Sequence, residues 1–279
     1  MTTVTPYTAH GSGLNFRGLL LSEWIKLTSL RSTVWCYGII LLISLGLGVL
    51  LAASFQQRGD HTAALDQGYW MQAATISITF SQLVIAVLGA LVITGEYGTG
   101  MIRSTLTAVP KRVPALMSKA VVFGVVTFVI SLVSIVGTAL LAGLILSGRG
   151  LDLNLTDGRA LGALIGGAGF LTLVGLIALF LGTIVRNSAA GISVMLGLVF
   201  VAPIVLQIFA AVTRASWVQN IREFLPSSAG SRVYGYAATP APTIPDVIVL
   251  DPGQGLLVLV AWVLVCASIA TLLLKRRDA

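Results

Sequence analysis

Six stretches of the chain run for more than twenty residues without Asp, Glu, Lys or Arg: 32–57, 67–95, 120–148, 160–185, 187–213 and 252–274. An α-helix rises about 1.5 Å per residue, so about twenty apolar residues cross the ~30 Å hydrocarbon layer of a bilayer. Each gap is long enough for one crossing. The chain is therefore expected to be an all-α membrane protein with six transmembrane helices, at about 33–55, 71–95, 120–146, 160–185, 189–213 and 254–274. Strands of a membrane barrel would alternate apolar and polar residues over about ten positions. The stretch 171–181 holds only Thr172 and Gly175 among nine large or small apolar residues, which excludes that pattern.

Composition agrees with the gaps. Of 279 residues 56% are hydrophobic and 10% charged, and the mean hydropathy is +0.96. Soluble domains carry about a quarter charged residues, so 27 charges could not cover a water-facing surface of this size. The net charge of +7 is then a question of membrane sidedness before it is one of nucleic acid, and no nucleic-acid partner is expected. On a six-span topology eleven Lys and Arg fall on the side of the termini and six on the other. Lys and Arg collect on the cytoplasmic side, so both termini are expected there, in a bacterial plasma membrane. Residues 1–13 read as a flexible polar tail with no basic segment leading into an apolar leader, so the first span is expected to be an anchor. Residues 275–279 read as a basic tail.

Between the first tail and the first span, 14–32 reads as an amphipathic helix lying in the cytoplasmic interface. Ser22, Glu23, Lys26 and Ser29 fall on one face and Leu20, Leu21, Trp24, Ile25 and Leu27 on the other, with Arg31 near its end. Such a helix either anchors only, or anchors and docks a partner. The segment after span two is the most distinctive. Glycines at 95, 98 and 100 permit a sharp exit from the membrane, and Ile102, Leu106 and Val109 have helical spacing until Pro110 ends the run. Glu96 is the only acidic residue close to the cytoplasmic face between the two terminal segments. It either contributes to a docking element or pairs with Arg103 or a terminal Lys.

Small residues four apart let membrane helices approach closely, so Gly158, Gly162 and Gly166 are expected to form a packing face, or alternatively a dimer seam or substrate path. Pro203 should free a backbone carbonyl in span five and bend it. On the outer side, 214–251 is too long to lack structure, and 217–225 reads as a short amphipathic surface helix. Cys36 and Cys266 lie inside apolar runs and are expected to be buried thiols without a disulfide.

The chemistry missing from the chain is equally directive. No Gly-Lys dipeptide occurs, so the Gly-x-x-x-x-Gly-Lys-Ser/Thr phosphate loop is absent and no ATP is held by that route. The only histidines are His10 and His61, neither inside a span, which excludes a bis-His haem in the bilayer and a His-Glu-x-x-His zinc site. No catalytic, cofactor or metal residues are expected. Ion-coupled carriers keep ionisable groups at mid-membrane, so energy for transport is expected from elsewhere.

The interface segment with Glu23, Trp24, Lys26 and Arg31, and the loop with Glu96, Gly98, Gly100, Arg103, Leu106 and Pro110, resemble the permease subunit of a type-2 ATP-binding-cassette exporter. Leu225, Pro226 and Ser227 before the last span fit the same resemblance. It implies that the loop residues form the ATPase-coupling element and that Glu23, Trp24, Lys26 and Arg31 belong to the interface helix. It further implies a separate cytoplasmic ATPase carrying ATP and Mg, and a second permease copy or paralogue. The competing readings are a non-transporting anchor or signalling subunit and an ion-coupled carrier. Drug, antibiotic, peptide and lipid remain open as substrates.

Overall fold

In the computed structural model, residues 15–55, 62–101, 112–236 and 246–276 are described, and among them there is helix and no strand. Six helices or helix pairs are long and apolar enough to cross a membrane: Arg31–Ser54, Ala63–Gly98, Arg112–Ser147, Gly158–Val185, Ser188–Thr213 and Pro252–Arg276.

Helix α1 (Phe16–Ser29) starts on Asn15, whose side chain accepts the N–H of Arg17, and ends where Leu30 turns extended. Arg31, grouped above with the interface helix, instead opens α2 (Arg31–Ser54), because the break at Leu30 divides the expected 14–32 segment. Span two is a pair. Helix α3 (Ala63–Thr75) and α4 (Ile78–Gly98) meet at Ile76 and Ser77. The run is longer than the charge gap because Asp66 lies inside α3, buried and accepting the N–H of Asp152 at 3.3 Å. Helix α5 (Arg112–Ser147) likewise begins ahead of its gap and takes in Lys119.

Helix α6 (Gly158–Val185) is capped by Asp157, whose carboxylate accepts the N–H of Arg159, and stops at Arg186 in the left-handed region (φ 58°). Span five is α7 (Ser188–Leu196), a π-helical turn at Gly197–Val201 and α8 (Ala202–Thr213). Pro203 has no N–H to give the carbonyl four residues back, and the widened turn, in which Ala202 N–H bonds Gly197 O, absorbs that defect. Two short helices follow, α9 (Ser216–Glu223) and α10 (Pro226–Tyr234), before α11 (Pro252–Arg276). The helix expected over 217–225 is thus α9.

The core lies between α4 and α6, which make the most extensive contact, with α5 packed on α6 and on α2. Ile85, Leu88, Phe123, Ile135, Phe170, Leu171 and Ile177 are each buried to below 2% exposure. The approach of α4 to α6 depends on glycine. A Cβ at Gly89 would run into the carbonyl oxygen of Gly175, and one at Gly182 would sit 2.7 Å from Ile93 Cγ2. Polar side chains pair across helices where they are buried: Tyr37 and Thr127 share a 2.7 Å bond, Ser44 donates to Ser77 at 3.0 Å, and Trp70 Nε1 donates to Ala139 O at 2.7 Å. Spans two and four have 61% of their most apolar stretch buried, against 11% for span five and 17% for span six.

Among the described residues a Cβ at Gly158 or Gly162 would meet nothing within 4 Å. One at Gly166 would lie 2.6 Å from Val233 O on α10. Among the described residues the glycine series therefore splits, its inner end alone facing another helix. Cys36 is partly exposed, whereas Cys266 is buried, and both are free thiols.

Candidate functional site

One end of the bundle gathers α1, the end of α4, the start of α5 and the end of α11. We call it the near end. Arg112 fixes part of it by donating from Nη1 to Leu274 O at 3.1 Å. Its centre is a joint of four charges. Glu23 and Lys26 come from α1, Glu96 from the last turn of α4 and Lys119 from the third turn of α5. Lys119 Nζ donates to Glu23 Oε2 at 2.5 Å and to Glu96 Oε1 at 2.8 Å. Lys26 Nζ donates to Glu23 Oε1 at 2.8 Å and to Glu96 Oε1 at 3.3 Å.

The two carboxylates balance the two ammonium groups, which is what allows such charges to be buried. Glu23, Glu96 and Lys119 are all buried, and Lys26 is partly exposed. Burial pulls the Lys26 ammonium down, but its bond to Glu23 and the charges of Glu96 and Glu23 outweigh that and hold it above its ordinary value. A cavity of about 250 Å³ adjoins the joint, lined on its apolar side by Leu27, Val92, Val122 and Phe123. Glu96 Oε2 is buried there and has no hydrogen-bond partner among the described residues.

Glu96 thus faces inward. Of the two roles open to it in the sequence, the structure shows the pairing, with the Lys26 of the N-terminal segment and with Lys119. Glu23 and Lys26 belong to the same joint, while Trp24 is on the outward surface with Leu21 and Ile25, all about half exposed or more. Ser22 and Ser29 are exposed on α1 as well, so its outward surface is mixed and only Glu23 and Leu27 turn inward.

Gly98 ends α4, and among the described residues a Cβ there or at Gly95, inside the helix, would meet nothing within 4 Å. Gly100 alone of the three takes a left-handed φ of +73°, which glycine adopts without strain. The chain leaves α4 there. Arg103, Leu106 and Pro110 lie outside the described residues.

The residue after Glu96 makes a second link. Arg186, in the turn between α6 and α7, stacks over the Tyr97 ring at 5.3 Å, and Ser188 donates to Thr94 Oγ1 at 2.9 Å. The end of α4 therefore touches α1, α5 and the α6–α7 turn through polar contacts gathered in about one helical turn, from Thr94 to Tyr97.

Lys119, Tyr97 and Arg186 were not singled out in the sequence. A signal for Lys119 existed: Glu96 closes the charge gap of span two and Lys119 opens that of span three, so opposite charges bound neighbouring spans at one membrane face.

At the other end α9 and α10 fold back between α6 and α11. Arg232 Nε donates to Glu223 Oε1 at 2.5 Å, and Trp262 Nε1 on α11 donates to Phe224 O at 3.0 Å.

A bundle of six apolar helices whose buried charges are neutralised at its ends is a multi-pass membrane protein. The family model described as ABC-2 family transporter protein matches residues 19–204, from α1 to the third residue of α8, and the chain belongs to that family. It is accordingly a permease component of an ATP-binding-cassette transporter, a transport subunit that associates with an ABC ATPase in the membrane. Among curated proteins none matches the chain significantly.

Proposed function

We propose that this chain is an exporter permease, driven by ATP hydrolysed on a separate cytoplasmic ATPase that docks at the near end. The observation that carries this reading is the four-charge joint, which ties α1 and the end of α4 into one polar unit beside the loop that leaves at Gly100. On this reading both termini are cytoplasmic, in a bacterial plasma membrane. The loop with Gly98, Gly100, Arg103, Leu106 and Pro110 contacts the ATPase directly, and Glu96 acts behind it by holding the end of α4.

An external energy source is supported by where the buried charges sit. Among the described residues, Glu96 and Lys119 lie at the near end and Asp66 and Glu223 at the other, and none lies at mid-span. Two permeases, identical or paralogous, work with two ATPases bearing ATP and Mg. The outward surfaces of spans five and six, little buried in the single chain, leave room for a second copy. ATP binding draws the near ends together, and the spans rearrange because their two arrangements differ by less free energy than the nucleotide supplies. The substrate class is a drug, antibiotic, peptide or lipid.

The test is a pull-down of the tagged chain from its native membranes, with ATPase activity assayed in the eluate. An ABC ATPase that is retained by the unaltered chain and lost on Gly98→Trp, with membrane insertion intact, supports the reading. A chain that carries no ATPase through several mild detergents is an anchor or signalling subunit instead.

A further inference from the structure

We infer that Lys119 is the positioning residue that makes α1, α4 and α5 move as one body at the near end, so that a push on α1 or on the α4 end reaches span three. The inference deepens the coupling reading above and rests on it for its function, though not for its geometry.

Helix α1 has little else to hold it. Of its fourteen residues only Glu23 and Leu27 are buried, and the cavity of about 250 Å³ lies against the same face. Apolar packing by Leu27 and the partly buried Leu20 beside a void leaves much of the helix's orientation open. Polar contacts must fix it.

The two lysines of the joint are not equivalent. Lys26 sits on α1 with Glu23, so their 2.8 Å bond lies within one helix, and its contact with Glu96 on α4 is longer, at 3.3 Å. Both bonds of Lys119 cross between helices, one to α1 and one to α4, and both are shorter than that contact. Lys119 is also buried, whereas Lys26 is partly exposed to water that competes for it. Without Lys119 the carboxylates of Glu23 and Glu96 face each other in a buried site with Lys26 alone between them. Repulsion then opens the joint, and the adjoining cavity gives α1 space to move into.

Spin labels on exposed Ser22 of α1 and exposed Val125 of α5, in a Cys36→Ala, Cys266→Ala background, report the joint in lipid nanodiscs. The unaltered joint should give one narrow distance. Lys119→Met, which keeps the length and removes the charge, should spread it over many distances. Lys119→Arg should restore the narrow distance, whereas Lys119→Gln, uncharged and of similar bulk, should not. A merely space-filling role would not separate the two.

If Lys119→Met does not accumulate in the membrane, Glu23→Gln decides. It cuts the α1 side and leaves Lys119 on Glu96, so the Ser22–Val125 distance should broaden. A narrow distance in either variant overturns the inference. Repeating the measurement with the co-purified ATPase and a non-hydrolysable ATP analogue should shift the narrow distance in the unaltered protein. The shift should be absent in Lys119→Met although the ATPase is still bound. A preparation without any ATPase refutes the coupling reading and leaves the tether standing, whereas an unaltered nucleotide shift in Lys119→Met refutes the tether's role in coupling.

Discussion

The two halves of α4 are joined to their surroundings by opposite means. At mid-membrane the helix lies against α6 so closely that Gly89 has no room for a methyl group, and its neighbours there include the backbone of Gly175. Two turns further, at Glu96 and Tyr97, the same helix is held by ion pairs and a cation over a ring, beside a cavity. Contacts between backbones are bistable at best and resist displacement. Ion pairs around a void can exchange partners at small steric cost. One helix thus carries a fixed joint in the membrane and a loosely packed polar joint at the end where we propose that the ATPase docks.

The largest test of that contrast is Gly89→Leu. The obstacle is a backbone carbonyl, so the seam must open, and a loss of about 3 kcal/mol or more is expected, read as a collapse of thermal stability in detergent. Lys119→Met comes next, at about 3 kcal/mol, toward the lower end for a broken buried ion pair because Lys26 remains on both carboxylates. Its signature differs, since α1 should loosen before the bundle melts; simultaneous loss of both would mean that the two joints are one cooperative unit.

Trp70→Phe should cost about 1 kcal/mol by removing the bond to Ala139 O that pins α3 to α5. Gly98→Leu should change thermal stability by less than about 0.5 kcal/mol, because its Cβ meets nothing within 4 Å among the described residues. Any effect of that variant on ATPase activity must then arise outside the chain's own packing.

The smallest effect is that of pH. Lys26 has its folded-state value raised above its ordinary 10.5, so its contribution is complete below that pH and is lost only as the pH climbs through the higher folded value. The share of Lys26 in holding the Ser22–Val125 distance should therefore not change from pH 6 to pH 9, and broadening within that window would have to come from a group other than Lys26.

The charge-gap reading located six spans and misjudged what lies at their edges, for one reason. It treats every charged residue as a boundary, so Asp66 and Lys119, which are buried within helices, had to fall outside the predicted spans. The same habit assigned Glu96 and Lys26 to a water-facing surface. For Glu96 the alternative of a terminal Lys as partner was visible; that Lys119 would be the second partner was not, because the two lie 23 positions apart on different helices. The glycine series misled in the other direction. Spacing marks Gly158, Gly162 and Gly166 as equivalent, yet among the described residues only Gly166 meets another helix.

What the sequence by itself determined is the number of crossings and the absence of a phosphate-binding loop, together with the breakpoints near Pro203 and Gly100. These follow from forces that act locally: the cost of taking charge into hydrocarbon, and the backbone limits of proline and glycine. Only the tertiary structure decided which spans form the core and which charges neutralise one another. Those choices depend on the distance between groups remote in sequence, and an ion pair or a glycine contact exists only once the helices that carry its two halves have packed.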